Sequence, residues 1–108
     1  IIVQPGPQGG HNWHPMSFSQ RTKLVYLPAT EQFMGYVAPE NFEVSQTGWN
    51  TGTDFAAGGA LVRAAGDQAP VRSAHLLAWD PVAQQEVWRV EKEVSVDAAG
   101  VLSTAGGW

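Results

Sequence analysis

The side chains best equipped for chemistry in this 108-residue chain stand close together near its start, in the run Gly9-Gly10-His11-Asn12-Trp13-His14-Pro15-Met16-Ser17-Phe18-Ser19. Asn12 can donate an amide N–H and Trp13 an indole N–H without bringing charge, which suits the oxygens of a planar polar ligand. An Asn-Trp pair is too short to be specific on its own. As bare residue types they read as a turn former and a core aromatic. His11 and His14, with His75 far along the chain, carry imidazoles that ligate zinc or copper. Two histidines three apart in a loop lack a third ligand, so hydrogen-bonded structural histidines are favoured over a metal site. Ser17 and Ser19 do not stand in a nucleophile-elbow pattern, and the preceding glycines lack the spacing of a phosphate or dinucleotide loop. No residue is therefore assigned a catalytic role.

The composition bounds what surrounds these residues. Six basic and ten acidic side chains give a net charge of −4. The basic ones (Arg21, Lys23, Arg63, Arg72, Arg89, Lys92) are scattered, leaving no footprint for nucleic acid. With no cysteine there is no disulfide framework, thiolate metal site or c-type haem attachment. No apolar run approaches the roughly 20 residues of a membrane-spanning helix. The length allows one modest domain at most. The opening Ile-Ile-Val-Gln-Pro-Gly-Pro and the close on Ala105-Gly106-Gly107-Trp108 suggest ends cut from something longer.

The elements that must position Asn12 and Trp13 are short strands. Twelve glycines, seven prolines and five tryptophans suit tight turns more than long helices, so an all-β class is expected. Residues 4 to 10 form a turn-rich approach. Met16 and Phe18, a turn over Ser19 to Lys23, and Leu24 to Leu27 closed by Pro28 read as a hairpin within 11–29. Residues 30–72 hold no persistent period. They are expected to be an ordered excursion pinned by its aromatics, with a helical turn or two at Ala60 to Ala65. A second hairpin occupies 73–91, with strands at Ala74 to Trp79 and Glu86 to Glu91 around a turn at Asp80 to Gln85. Val94 to Val96 and Val101 to Thr104 read as a further pair within 92–108. About four strands is the content of one propeller blade, which alone would lack the neighbours that bury its apolar faces.

Ala78-Trp79-Asp80-Pro81-Val82-Ala83-Gln84-Gln85-Glu86-Val87-Trp88 resembles the tryptophan-docking motif of quinoprotein propellers: a small residue, an aspartate two positions on and a tryptophan ten positions after the first. The aspartate is expected to cap the turn and the indole to pack between blades. Gln84 replaces the usual glycine, which puts the turn conformation in question. Together with the His11 to Ser19 run, this segment resembles the pyrroloquinoline quinone (PQQ)-dependent alcohol dehydrogenases, eight-bladed β-propellers, and most of all their quinohaemoprotein branch. Resemblance is good over 1–29 and 73–107 and loose between, through Trp49-Asn50-Thr51-Gly52. In place of the family's Trp-Asn-Gly-Gly-type turn the chain has Val96-Asp97-Ala98-Ala99-Gly100, and Trp108 stands where an aliphatic residue is usual.

The resemblance implies a blade-sized fragment of an enzyme that oxidises primary alcohols to aldehydes, with Asn12 and Trp13 lining the PQQ site. It implies Ca²⁺ held by parts of the parent not present here, since nothing in the chain resembles the family's calcium ligands or aspartate base. This chain alone should be inactive. The implied partners are the remaining blades, a small alcohol, and an electron acceptor such as a cytochrome or quinone; the implied location is the periplasm. A non-catalytic propeller-like binding or scaffold module is the alternative.

Overall fold

The computed structural model describes residues 1–93 and 100–106. In chain order its elements are β1 (Ile2–Val3), β2 (Ser17–Ser19), β3 (Leu24–Glu31), β4 (Met34–Gly35), α1 (Phe55–Ala65), β5 (Ser73–Asp80) and β6 (Gln85–Lys92), with a 3-10 turn at Gly66–Gln68 after the helix. Strands β2-β3-β5-β6 form a four-stranded sheet with antiparallel neighbours, while β1 and β4 pair separately. The expected antiparallel all-β blade is thus the architecture observed, with the one described α-helix confined to the excursion.

Both hairpins arise from the same local device. In the first, Lys23 N donates to the Ser19 carbonyl at 2.8 Å and Thr22 N to Ser19 Oγ at 3.3 Å. In the second, Asp80 Oδ1 accepts from Val82 N at 2.8 Å and Ala83 N at 2.9 Å, the capping expected of that aspartate. Each turn ends on a residue in the left-handed region, Lys23 at φ 62 and Gln84 at φ 54. Gln84 therefore keeps the conformation a glycine would adopt freely, at a cost of about 1 kcal/mol.

Register then selects which side chains meet. Tyr26, Ala78 and Trp88 stand opposite one another on β3, β5 and β6. The Tyr26 and Trp88 rings approach to 5.7 Å between centroids, and Ala78, in the strand between them, is 0 % exposed. A methyl group is what fits under two aromatics brought together from either side. An irregularity at Ala78/Trp79 shifts the β5–β6 register by one residue, so Trp79 pairs with Glu86.

Two local expectations are corrected. Pro28 does not close its strand: β3 continues to Glu31. Tyr26 and Pro28 turn their backbone groups to the same side, that of β2, and the β2 register stops at Ser17↔Tyr26. Pro28 lies beyond it, where no ladder bond needs its missing N–H. Val101 to Thr104 is not a strand either, and Val94 to Val96 lies outside the described residues. The 101–104 stretch runs beside 15–17, with Val101 N donating to the Pro15 carbonyl at 2.9 Å and the Ser17 and Ser103 hydroxyls 2.8 Å apart. Pro15 can accept but not donate, so the pairing cannot become a regular ladder.

The excursion holds a longer helix than the Ala60 to Ala65 turn expected. Helix α1 begins at Phe55, where Asp54 caps it by accepting from Ala57 N at 2.9 Å. Gly58 and Gly35 explain the placement: a Cβ on either would collide with the other's backbone carbonyl, so α1 lies backbone to backbone on β4. The excursion's aromatics are not what fixes it, because Phe42, Trp49 and Phe55 are more than half exposed. Phe33 and Tyr36 are less exposed, Phe33 lying under the Arg72 guanidinium at 4.6 Å.

Among the described residues only Ala74 and Ala78 are buried apolar side chains, and no large side chain is fully buried. The radius of gyration is 17.9 Å, against about 13 Å for a compact chain of this size. The sheet is well formed, but the described residues do not supply the apolar cover that would stabilise it.

Candidate functional site

The loop that carries Asn12 and Trp13 is laced along the edge of β3 that β2 leaves open. Gly6 N donates to the Gln32 carbonyl at 2.7 Å, and Thr30 N donates to the Gly10 carbonyl at 2.8 Å. Gly9, at φ 70, supplies the left-handed step between these two ties. His11 makes the third, its Nδ1 lying 2.7 Å from the Pro28 carbonyl. A carbonyl only accepts, so Nδ1 carries the proton and donates. This is the hydrogen-bonded structural role expected of that histidine. Three successive contacts to Gln32, Thr30 and Pro28 thus bring the chain to Asn12 in a fixed path.

Asn12 and Trp13 sit at the end of that path. Asn12 Nδ2 donates to Gln8 Oε1 at 3.0 Å, which occupies one of its two amide hydrogens. Trp13 is 78 % exposed and stacks on His14, ring centroids 4.4 Å apart and planes inclined by 22°. Trp13 is therefore not a core aromatic of this chain. Among the described residues its indole N–H has no hydrogen-bond partner. A cleft of about 20 Å³ lies beside the pair, lined by Gln8, His11, Asn12, His14, Pro28 and Thr30 among others. That is room for little more than one water. The arrangement presents neutral donors and a flat indole outward and encloses no ligand-sized cavity.

The remaining sequence-marked residues lie elsewhere. His75 is buried on β5, with Nδ1 unpartnered among the described residues, and its register partner on β6 is Glu91. No group of three metal-ligating side chains occurs among the described residues. Trp88 and Asp80 belong to the second hairpin. On β6, Arg89 Nε donates to both Glu86 oxygens at 2.9 and 3.0 Å, and this bonding holds the Glu86 carboxyl below the usual carboxylate range. Reading the sequence missed Gln8 as a support for Asn12, since a glutamine four residues earlier in a proline-glycine loop carries no pattern. Pro28 in a strand-like run was the available signal that something other than a ladder partner uses that edge.

No protein-family model matches the chain. It is 43 % identical over 111 aligned residues to a quinohaemoprotein alcohol dehydrogenase of Comamonas testosteroni, with 94 % of this chain and 14 % of the relative covered. It is 41 % identical to quinohaemoprotein alcohol dehydrogenase ADH IIB of Pseudomonas putida, covering 98 % of this chain and 14 % of that one. The crystal structure of the Comamonas testosteroni enzyme matches with a TM-score of 0.69 at 39 % identity, covering 98 % of this chain and 16 % of that one. The chain thus spans about 14 % of the length of these curated relatives.

Proposed function

We propose that this chain, a relative of the quinohaemoprotein alcohol dehydrogenases, is one blade-sized segment of such an enzyme, and that Asn12 and Trp13 form part of the wall of its quinone site. The observation that carries this reading is the exposed Asn12–Trp13 pair, held by ties to Pro28 and Thr30 of β3 and to Gln32 just beyond it, on a sheet for which the described residues supply almost no core. A side chain of that size is left open to be covered by something. Neighbouring blades would cover the sheet faces, and the cofactor would cover the indole.

The residues fit part of a quinone site. PQQ is a planar, tricarboxylated o-quinone, which accepts the reducing equivalents of the alcohol when bound. Asn12 retains one amide hydrogen and Trp13 its indole N–H, both neutral donors suited to the quinone's oxygens. The adjoining cleft is far too small for the whole cofactor, so other segments would supply the opposite walls, the Ca²⁺ site and the general base. Oxidation of primary alcohols, delivery of electrons to a cytochrome or quinone, and a periplasmic location belong to the same proposal.

The test uses the full-length protein that carries this segment. Quinone- and calcium-dependent oxidation of ethanol, followed with an electron-accepting dye, is expected, with residues 1–108 alone inactive. Replacing Asn12 and Trp13 separately by Ala should weaken PQQ binding without changing the far-ultraviolet circular dichroism. Global unfolding would indicate a packing role for the pair, and unchanged PQQ affinity would remove it from the site. Absence of any quinone-dependent activity would favour the scaffold alternative.

A further inference from the structure

We infer that Gln8 and His11 are positioning residues that preset Asn12 before a ligand arrives, His11 by fixing the backbone and Gln8 by fixing the amide. The inference rests on Asn12 facing the quinone, as proposed above, and concerns residues to which that proposal gives no role.

The argument begins at Pro28. Its carbonyl points to the β2 side of β3, beyond the last β2 register pair, where no strand is present to donate to it. His11 Nδ1–H fills that position at 2.7 Å in a part-buried setting. The bond joins the residue immediately before Asn12 to the middle of the long central strand β3. Two residues further along the same strand, the Thr30 N–H holds Gly10 at 2.8 Å. Consecutive residues Gly10 and His11 are thus clamped to alternate positions of one strand. This leaves Asn12 little backbone freedom.

The side chain is fixed separately. Rotation of an Asn amide about its last torsion is broad and nearly two-fold, so an unheld Asn12 would exchange its oxygen and nitrogen positions readily. Gln8 Oε1 accepts from Asn12 Nδ2 at 3.0 Å, which tethers the Asn12 amide to the loop four residues back and limits its swing. An amide–amide bond in open water is weak. Once a planar ligand covers the loop, the same bond is desolvated and strengthens. An amide already held in place costs less to order when the ligand binds, which is how a supporting residue raises affinity without touching the ligand.

The experiment titrates PQQ, with calcium present, into the full-length protein carrying this segment and follows tryptophan fluorescence, in parallel with thermal melting. Gln8→Ala and His11→Ala are each expected to weaken binding about three- to tenfold, the size of one hydrogen bond. His11→Asn, whose amide nitrogen can replace Nδ1, should restore most of the affinity. In an Asn12→Ala background Gln8→Ala should have no further effect, because no amide remains for it to hold. Equal weakening by Gln8→Ala in both backgrounds, or no weakening by it while Asn12→Ala still reduces affinity, would overturn the positioning role and leave the site assignment standing. Unchanged affinity in Asn12→Ala would overturn both. Gln8 is exposed, so Gln8→Ala decides the matter even if His11→Ala fails to fold.

Discussion

In the sheet, packing is made by side chains, with Tyr26 and Trp88 meeting beside the buried methyl of Ala78. In the excursion it is made by their absence, where α1 lies on β4 through Gly58 and Gly35. Two regions can thus both be ordered while only one writes its packing into residue size and periodicity. A glycine pair that permits backbone contact looks, in sequence, like a pair of chain breaks.

The largest effect expected from this contrast is at Gly58. Gly→Ala inside a helix ordinarily stabilises by up to about 1 kcal/mol. Gly58→Ala should instead destabilise by roughly 3 kcal/mol, since the new methyl meets a backbone carbonyl that cannot swing away. The neighbouring Gly59→Ala would touch only the mobile end of Arg63 and should be neutral or slightly stabilising. Urea denaturation of the full-length protein with these two variants compares a docked and an undocked glycine in one helix; equal behaviour would remove the backbone contact from the account.

On the sheet side, Ala78→Leu should cost about 2 kcal/mol by forcing the Tyr26 and Trp88 rings apart. Near-ultraviolet circular dichroism would register the lost ring contact. Next come the two aspartates that do the same work in the two regions. Asp80→Ala and Asp54→Ala each remove an acceptor for backbone N–H groups and should each lower stability by about 1 kcal/mol. Hydrogen exchange should place the Asp80 effect at Val82 and Ala83 and the Asp54 effect at Ala57. Spread of either effect across both regions would show that they do not unfold separately.

A smaller gain is expected from Gln84→Gly. It relieves the left-handed φ but loosens the unfolded chain, for a net stabilisation of about 0.5 kcal/mol in the melting curve. The smallest effect is that of pH on the Glu86–Arg89 pair. Hydrogen bonding from Arg89 lowers the Glu86 pKa, so its contribution is present above the ordinary carboxylate range and is lost as pH falls through the lowered value. Both groups are exposed, so the difference between the protein and Glu86→Gln should be small at neutral pH, be erased there by high salt, and vanish on acidification.

Much of the sheet was legible because its physics is local. Asp80 followed by Pro81 announces a capped turn, and apolar alternation before and after it fixes β5 and β6. Pro28 misled because proline's effect depends on which side of the strand is paired, and that is set by where β2 ends, many residues earlier in the chain. Half of α1 was hidden because Ala56 to Gly59 offers a helix no apolar stripe, and its docking partner Gly35 is twenty-three residues upstream of Gly58. For the site, residue type pointed to Asn12 and Trp13 through resemblance. The bracing by Gln8, Pro28 and Thr30 came only with the fold, since neither a side-chain amide pair nor a hydrogen bond to a backbone carbonyl leaves a trace in composition.

Among the described residues strand β6 ends the four-stranded sheet, and all eight of its residues are exposed. A free strand of that length is a template on which further chains can polymerise. Here Glu86, Arg89, Glu91 and Lys92 space charges along it, and the register shift beside Trp79 bends it away from the straight geometry that an incoming strand needs. Trp88 can thus stay available on the face of the sheet for ordered assembly, while the rim next to it resists fibre growth.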